Sequence, residues 1–405
     1  MFTNEHRTDV PAERGAAPAP LLAALPAAAV TAVRLRLFRS PVRDGVAMSF
    51  APMTHRSMAV VVVELADGHC GLGETWVNYP SWAWRERVAT VEEGITPLAV
   101  GRMFETPQQA HDLLVGSLAP LGRQWGAPGP MYQAISGFDA ALWDIAAQHA
   151  GTSLARLLSG MDASSAEAAL PAELPVYASS LGPHDVASTA EACLAAGHNA
   201  VKVKVGFGRD VDMANLATAR RVLGDEVQLF ADANQAWSLD EATAMIPALL
   251  DVGVGWLEEP LRGDSATELA ELRRRGGLPL ATGENIYGAG AFAPYLDVAA
   301  VDIVQPDLSK VGGPTEYQRV SALASRTGTT VNPHLYNGTV ATAATVQVAV
   351  ATPSTTAVEW DVRRNPLRAI VDDLLTEHGT VRVPQGPGLG LDIDLEALMD
   401  MEEKL

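Results

Sequence analysis

The chain has 405 residues, a formal net charge of -19 and a composition that is 48% hydrophobic and 19% charged. This length is sufficient for one large domain and a smaller one, and the composition is that of an ordinary globular protein. The acidic excess argues against nucleic acid or an anionic membrane as a partner, because the single arginine run, Arg273 to Arg275, is short. An anionic substrate therefore needs a local cluster of cations or a metal ion.

Residues 1–28 are predicted to be a disordered leader. They mix acidic and basic residues with alanine and two prolines, which is unlike a signal peptide. No apolar run in the sequence is long enough to cross a bilayer. Cys70 and Cys193 stand far apart and outside any CxxC spacing, so neither a disulfide framework nor a zinc site is predicted. We interpret both as packed residues in a reducing cytoplasm.

The next part of the chain, residues 29–165, is predicted to form a small α+β domain. Strand-like runs come first, in VTAVRLRLF and in MAVVVVELADGHCGLGETW, where Asp67-Gly68 supplies a hairpin turn. From Val88 to Ile145 the apolar residues recur at helical spacing, and the helix that includes ISGFDAALWDIAAQHAG is predicted to end at Gly151. Strands followed by helices are typical of α+β domains.

Residues 166–384 follow a different pattern, in which eight β-like runs alternate with helix-like segments such as MANLATARRVL and DEATAMIPALL. The runs are VYASS, VKVKV, QLFAD, GWLEE, LATGE, VDIVQ, TTVNP and AVEWD. This alternation predicts an α/β fold, a TIM-like (β/α)7β barrel. An open doubly wound sheet is the alternative, but it usually carries a glycine-rich phosphate turn after its first strand, and VYASSLGPHD has none.

Ionisable residues stand at nearly the same place in seven of these units, about one barrel unit apart. They are Lys204, Asp232, Glu258, Glu284, Asp307, His334 and Glu359. Because the carboxyl ends of barrel strands meet at one mouth, these side chains are expected to surround one small volume. Each residue alone has a structural explanation, such as a helix cap or a solvated turn, so only the joint pattern indicates a function.

Three of these residues, Asp232, Glu258 and Glu284, are carboxylates on consecutive strands and would repel one another unless a cation lies between them. Oxygen ligands without Cys or His indicate a hard ion, and three carboxylates that leave room for substrate and water suit Mg2+. Neighbours on a strand face opposite ways, so only one of Glu258 and Glu259 is expected to face inward. Strand parity leaves that choice open.

The strand VKVKV places Lys202 and Lys204 on one face. The same alternation is also typical of a half-exposed strand. Because the three carboxylates are expected nearby, we interpret the two lysines as part of the same site. Lys202 is then predicted to lower the pKa of Lys204 by like-charge repulsion, which makes Lys204 a useful base. Asp307 is expected to fix the tautomer of His334, which is then a second base on the opposite face of the substrate.

Glu359, if protonated, is expected to hydrogen-bond the carboxylate of the substrate, which Lys202 also contacts. A site of this kind fits removal of a proton α to a carboxylate. The enediolate that results carries negative charge on its oxygens, so the metal ion and the cationic side chains must supply most of its stabilisation.

Seven motifs together resemble the enolase superfamily and, within it, the mandelate racemase group, from about residue 30 onward. They are VKVKV, ADANQAW, WLEEP, TGENIYG, QPDLSKVGG, NPHLYNG and VEW, in this order. The resemblance implies that Asp232, Glu258 and Glu284 are the Mg2+ ligands. It implies that Lys204 and the His334–Asp307 dyad are the acid–base groups, and that Lys202 and Glu359 contact the substrate carboxylate. It thereby favours Glu258 over Glu259.

The resemblance further implies that the α+β domain caps the barrel and that residues 385–405 return to it. Two cap loops, at about 41–56 and 73–85, are expected to select the substrate. Lys202 and Glu359 are candidate substrate contacts. The further candidates are Arg43, His55, Arg56, Trp76 and Asn234. A homo-oligomer is expected from the family.

Lys310 in PDLSKVGG leaves one ambiguity, because it aligns with the second base lysine of the muconate-lactonizing group of the same superfamily. Asp307 with His334 favours the mandelate racemase group, in which case Lys310 has a structural role at a helix start. The dipeptide epimerases resemble this chain less, since it carries Glu359-Trp360-Asp361 at the eighth strand.

The predicted function is Mg2+-dependent dehydration of a small carboxylate substrate, an acid sugar, to a 2-keto-3-deoxy acid by a carbon–oxygen lyase. The choice of dehydration rests on how common that activity is in the family. A racemase or epimerase is the alternative, because two bases on opposite faces are what a two-base proton transfer requires. A catalytically silent barrel that serves as a scaffold would lack some of the expected site residues, and none is missing.

Overall fold

The computed structural model of this chain describes residues 23–43, 48, 51–160, 170–263 and 265–405. Most of the predicted leader lies outside these residues, as do residues 161–169, which span the predicted boundary between the two domains. In the described part of the chain, no helix is both long enough and apolar enough to span a membrane.

The first domain is a β-sheet covered by helices. Its strands are β1 (Val30–Pro41), β2 (His55–Leu65) and β3 (Cys70–Thr75). Its helices are α1 (Ala83–Ala89), α2 (Thr96–Ala99), α3 (Pro107–Trp125), α4 (Pro128–His149) and α5 (Leu154–Ser159), with a π-helical segment at Thr90–Ile95. The hairpin predicted at Asp67-Gly68 is confirmed, because Gly68 has φ 95° between β2 and β3.

The second domain is a parallel barrel in which each of the eight predicted strands is confirmed. They are β4 (Glu173–Leu181), β5 (Ala200–Lys204), β6 (Gln228–Asp232), β7 (Val254–Glu258), β8 (Leu280–Thr282), β9 (Ile303–Val304), β10 (Thr330–Val331) and β11 (Val358–Asp361). The ladder runs β10-β9-β8-β7-β6-β5-β4-β11. Beside β10, the Val331 amide donates to the Ser354 carbonyl, and the Asn332 side chain accepts from the Ala357 amide, which links β10 to the segment that leads into β11.

Helices alternate with the barrel strands and cover their outer faces. They are α6 (Val186–Ala195), α7 (Arg209–Leu223), α8 (Leu239–Asp251), α9 (Ala266–Gly276), α10 (Ala289–Asp297), α11 (Gly313–Thr327) and α12 (Thr339–Val350). With the eight strands these seven helices form the (β/α)7β arrangement. After the barrel come a 3-10 turn (Pro366–Arg368), α13 (Ala369–Asp372), β12 (Thr380–Arg382), a 3-10 helix (Leu395–Met401) and β13 (Glu402–Glu403).

Two short strands tie the end of the chain to earlier elements. β12 pairs antiparallel with β4, and β13 pairs antiparallel with β1, which makes the order of the cap sheet β13-β1-β2-β3. The cap also meets the barrel through buried carboxylates. Glu74 at the end of β3, for example, accepts the Gly338 and Ala341 amides, both at 2.8 Å, at the N-terminus of α12.

The two cysteines differ in exposure. Cys193 is buried, as predicted, but Cys70 is exposed, so its interpretation as a packed residue is wrong. Cys70 begins β3, the edge strand of the cap sheet, which explains its exposure.

Candidate active site

The VKVKV strand is buried on both faces, so it is not a half-exposed strand. Val201 and Val203 have no exposed area, and Lys202 and Lys204 are 1% and 6% exposed. The valines alternate with the lysines and join the hydrophobic core, while the lysines point into the barrel. There the Lys202 ammonium lies 2.7 Å from Glu258 Oε2 and 2.8 Å from Glu359 Oε1, and the Lys204 ammonium lies 2.5 Å from Asp232 Oδ2.

The pKa of Lys204 differs from the prediction. Burial lowers it, and the neighbouring Lys202 lowers it as predicted, but Asp232 together with Glu258 and Glu284 outweighs both effects. The pKa of Lys204 is therefore raised above its ordinary value, and the predicted depression is wrong for the protein in this state. The sequence reasoning considered the cation two residues away and omitted the carboxylate that the next strand places against the ammonium.

Asp232 ends β6 and is held by its own loop as well as by Lys204. Asn234 donates to it twice, from the backbone to Oδ1 at 2.9 Å and from the side-chain amide to Oδ2 at 3.2 Å. Asn234 and Gln235 both have positive φ, which turns the chain back over the carboxylate. Asn234, predicted as a substrate contact, thus lies in the cluster and orients a predicted metal ligand.

Glu258 and Glu259 are both buried at the end of β7. Glu258 Oε2 accepts from Lys202 and from Gln305 at 2.9 Å, while Oε1 makes no hydrogen bond with the described residues. Burial, with Asp232 next, raises the pKa of Glu258 to about 7. Glu259 has φ 40°, which breaks the strand alternation, and its carboxylate accepts from Gln235 and Asn285. The parity argument is therefore wrong, because both carboxylates lie near the mouth.

His334 and Asp307 form a directed pair at the opposite side of the cluster. His334 Nδ1 lies 2.7 Å from Asp307 Oδ2, and Asp307 Oδ1 accepts from the Ser309 amide and hydroxyl. Nε2 of His334 lies 2.7 Å from Glu284 Oε2. Burial lowers the pKa of His334, but Glu284 and Asp307 raise it to about 10. A pKa of about 10 favours the protonated imidazole at neutral pH.

Glu359 is ionised in this structure. Burial raises its pKa, but Lys202, His334 and Lys204 together lower it by more, and the net shift is below the ordinary value. The hydrogen bond from Glu359 to a substrate carboxylate, predicted on the condition that Glu359 is protonated, stays a prediction. Its Oε2 also accepts weakly from the Leu335 amide, at 3.4 Å, which fixes the carboxylate beside the His334 loop.

Lys310 lies in the cluster, although the sequence assigned it a structural role. Its ammonium is 3.3 Å from Asn285 Oδ1, 4.0 Å from Glu284 Oε1 and 4.1 Å from the ring centre of Trp76. The only sequence signal for this position was the alignment with the muconate-lactonizing group. The distance to Glu284 shows that Lys310 contributes positive charge to the site.

Two of the four candidate residues from the cap approach the barrel mouth. Trp76 is buried with its ring centre 6.0 Å from that of His334, and Arg56 is buried with its guanidinium 2.7 Å from Asp361 Oδ2. His55 lies next to Arg56 on β2 and therefore faces the other way, where Arg39 and Glu403 influence its pKa. Arg43 is exposed.

The donor set fits Mg2+ in its chemistry. Asp232, Glu258 and Glu284 supply oxygen atoms, and burial together with the charges of the other two carboxylates raises the pKa of Glu258. Glu258 Oε1 is buried and has no hydrogen-bond partner among the described residues. In the described residues, however, no three His, Cys, Asp or Glu side chains converge on one point that could hold an ion. The reason is that the carboxylates are turned toward Lys202, Lys204 and His334.

A buried cluster of carboxylates, lysines and a histidine at the carboxyl ends of barrel strands defines a class of protein, a barrel enzyme with acid–base chemistry. Two family descriptions match the chain. "Mandelate racemase / muconate lactonizing enzyme, N-terminal domain" covers residues 30–159, and "Enolase C-terminal domain-like" covers residues 185–398. The chain belongs to this family and is an enzyme of the enolase superfamily, mandelate racemase group.

Curated relatives catalyse more than one reaction. A D-galactarolactone cycloisomerase from Agrobacterium fabrum is 30% identical over 92% of this chain and 98% of its own length. A D-galactonate dehydratase from Ralstonia pickettii is 30% identical over 83% of this chain and 88% of its own. At these identities the family is established, and the individual reaction is not.

Solved structures agree with the fold. A mandelate racemase/muconate lactonizing enzyme from Bordetella bronchiseptica RB50 is 34% identical, with TM-score 0.83 over 92% of this chain and 99% of its own. A racemase from Streptomyces coelicolor A3(2) with bound magnesium is 26% identical, with TM-score 0.81 over 92% of this chain and 100% of its own. The predicted barrel with an N-terminal capping domain is thereby confirmed.

Proposed function

We propose that this enzyme dehydrates an acid sugar to a 2-keto-3-deoxy acid with the help of Mg2+. The observation that carries the proposal is the placement of Lys204 and the His334–Asp307 pair around one carboxylate cluster. Lys204 ends β5, and His334 follows β10, so β4 and β11 separate them on one side of the ring and β6 to β9 on the other. A substrate between them meets an acid–base group on each side.

The carboxylates and Lys202 contribute to substrate binding in different ways. Mg2+ held by Asp232, Glu258 and Glu284 would supply Lewis-acid stabilisation of the substrate carboxylate as its negative charge grows. Lys202 keeps a buried positive charge beneath the same position, and Asn234 keeps Asp232 oriented. These preorganised charges lower the cost of forming the enediolate.

The reaction needs one base and one acid. Either Lys204 or His334 takes the proton from the α-carbon, and one of the same two groups gives a proton to the β-hydroxyl as the carbon–oxygen bond breaks and water leaves. The enol that remains tautomerises to the 2-keto acid. Asp307 holds the His334 imidazole by Nδ1, so Nε2 is the atom that exchanges the proton with the substrate.

A racemase or epimerase is the second candidate, and the same observation favours it. Acid–base groups on two sides of the α-carbon can remove a proton from one face and return one to the other without a leaving group. The two reactions share the first step and differ in the fate of the intermediate, so they are separable by their products.

The test is a panel of acid sugars, their lactones and other α-substituted carboxylic acids, incubated with the enzyme and Mg2+ in D2O. NMR follows deuterium at the α-carbon, and a carbonyl assay follows the keto acid. Lys204→Ala and His334→Asn are compared with the surface controls Lys404→Ala and His69→Asn. Keto acid that both site variants lose and both controls retain supports dehydration.

Other outcomes choose between the candidates. Deuterium exchange with inversion and no keto acid supports the racemase or epimerase. Conversion of a lactone without free keto acid supports a cycloisomerase and overturns both. Absence of exchange with every acid contradicts the assignment of Lys204 and His334 as acid–base groups.

A further inference from the structure

Beside the reacting cluster lies a group of polar residues that the proposed mechanism does not use. We define the distal cluster as Ser179, Ser180, Tyr336, Asp361 and Arg56. We propose that the distal cluster binds the hydroxyl groups of the substrate chain beyond the reacting carbons and selects a neutral polyhydroxy tail over a second carboxylate. This inference rests on the proposed function and narrows its substrate to aldonic acids, as opposed to aldaric acids, which carry a carboxylate at both ends.

The register of the barrel strands places the distal cluster next to the reacting groups. In the pairing of β11 with β4, Glu359 lies opposite Tyr177, and Asp361 lies opposite Ser179. Residues two apart on a strand share a face, so Asp361 and Ser179 face inward one step nearer the mouth than Glu359. On the neighbouring strand β5, Lys204 likewise lies one step nearer the mouth than Lys202.

The residue Tyr79 of the cap connects the two groups electrostatically. Burial raises its pKa to about 12, and both Lys204 and Arg56 act against that rise. Tyr79 therefore lies within the electrostatic influence of both the predicted base and the distal cluster. It also packs against the apolar group of Met53, Trp76 and Tyr336, which covers this side of the mouth.

Three buried hydroxyl groups in the distal cluster have hydrogen-bonding capacity that the described residues do not satisfy. Among the described residues, Ser179 Oγ, Ser180 Oγ and Tyr336 Oη are buried and make no hydrogen bond of normal geometry, and the Ser180 side chain lies close enough to Tyr336 to act against the rise in pKa that burial gives its hydroxyl. A hydroxyl both donates and accepts, and a buried one without a partner is costly. Ser180 also has φ 73°, which is unusual for a residue other than glycine and is typical of ligand sites. Sugar hydroxyls would satisfy all three groups.

The charges of the distal cluster favour a neutral tail. The Arg56 guanidinium is 2.7 Å from Asp361 Oδ2 and 4.4 Å from the ring centre of Tyr336, and both ionic partners are 3% exposed. The positive charge of Arg56 is thus balanced within the chain. A second substrate carboxylate would meet Asp361 without a free cation, whereas hydroxyls interact well with both ends of the ion pair.

The experiment compares three substrates: an aldonate, the aldarate of the same configuration, and glycerate, which has the α-proton and β-hydroxyl but no tail. The variants are Ser179→Ala, Tyr336→Phe and Asp361→Asn, with Ser188→Ala as a control on helix α6. The readout is kcat/KM for each substrate, with the melting temperature of each variant measured in parallel. The ratio of kcat/KM for aldonate to that for glycerate isolates tail recognition, because a general loss of folding or catalysis cancels in it.

We expect wild type to prefer the aldonate, and Ser179→Ala and Tyr336→Phe each to lower the aldonate-to-glycerate ratio about five- to tenfold. Asp361→Asn frees the charge of Arg56 and should shift the aldarate-to-aldonate ratio at least about tenfold toward the aldarate. A ratio that none of these variants changes, or a wild type that prefers the aldarate, overturns the inference while dehydration stands. A wild type that dehydrates none of the three acids overturns both proposals.

Discussion

Two sets of buried carboxylates in this enzyme are satisfied in different ways. The site carboxylates, Asp232, Glu258 and Glu284, face Lys204, Lys202 and His334, respectively. The interface carboxylates, Glu74, Asp139 and Asp144, accept backbone amides; Glu74 and Asp139 join the cap to the barrel, and Asp144 joins the cap to the C-terminal segment. Asp139 accepts the Thr315 amide at 2.8 Å near the start of α11, and Asp144 accepts the Leu72 and Leu389 amides at 3.0 Å.

The difference explains which set can do chemistry. A backbone amide in a packed segment cannot move away, so an interface carboxylate has one arrangement, and the positive end of the helix dipole stabilises it for Glu74 and Asp139. Lysine and histidine side chains can rotate, and Glu258 Oε1 is still without a hydrogen bond. We therefore expect the site carboxylates to exchange their cationic partners for a metal ion and the interface carboxylates to keep their amide partners.

The largest expected effect comes from removing a cation from the site. Lys202→Met leaves Glu258 and Glu359 buried without their shared ammonium, and it should cost about 3–5 kcal/mol of unfolding free energy in EDTA. Mg2+ should restore part of that loss. Chemical denaturation with EDTA and with Mg2+ measures both values.

The control for this prediction is Arg262→Met, because Arg262 is 65% exposed in its pair with Glu241. That change should cost less than about 1 kcal/mol. Equal costs for the two variants would show that the site carboxylates do not depend on their cations.

Removing an interface carboxylate should give the next effect. Glu74→Ala leaves the Gly338 and Ala341 amides buried without acceptors, at an expected cost of about 2–4 kcal/mol. This cost should be the same in EDTA and in Mg2+, unlike that of Lys202→Met. The exposed Glu92→Ala is the control, with a change within about 0.5 kcal/mol. A Mg2+-dependent cost for Glu74→Ala would break the distinction between the two sets.

The sequence predicted the site best where it depends on the repeat of the barrel. Seven ionisable residues one unit apart must meet at the mouth once the eight strands close, and all seven form short contacts with one another or with Lys202. The contacts between strands were not predictable. The pKa of Lys204 depends on the 2.5 Å distance to Asp232, which no spacing along one strand reveals.

Backbone irregularities and contacts between domains account for the remaining differences. The alternation of a strand predicted one inward side chain at the end of β7, but φ 40° at Glu259 turns the second carboxylate toward the mouth as well. Arg56 and Asp361 pair across the cap and the barrel although 361 − 56 = 305 positions separate them. Such pairs follow from how two domains pack, and no local pattern contains them.

The pH dependence of stability offers a third prediction. Burial raises the pKa of Glu74 from 4.5 to about 7. The folded chain therefore keeps this proton to a higher pH than the unfolded chain, and the stability it contributes is full below pH 4.5 and is lost as the pH rises through 7. Between pH 5 and 7 the unfolding free energy of the wild type should fall by about 2 kcal/mol more than that of Glu74→Gln.

Urea denaturation at a series of pH values, in EDTA for both proteins, measures this difference. The comparison cancels the titration of the site residues because both proteins retain them. A wild type and a Glu74→Gln variant with parallel pH profiles would show that Glu74 is ionised without cost, and that the α12 N-terminus compensates its burial fully.

The smallest expected effect separates the two sets most directly. Mg2+ at ten times its dissociation constant should raise the unfolding free energy of the wild type by about 1.4 kcal/mol, because the ion binds only the folded chain. Glu258→Gln should lose this increment, since it removes a charged oxygen ligand from the site. Asp144→Asn should be less stable overall and still retain the increment, because Asp144 accepts the Leu72 and Leu389 amides and interacts with the Gln148 side chain, away from the barrel mouth. Retention in Glu258→Gln with loss in Asp144→Asn would place the ion at an interface carboxylate and contradict the division between exchangeable and fixed carboxylates.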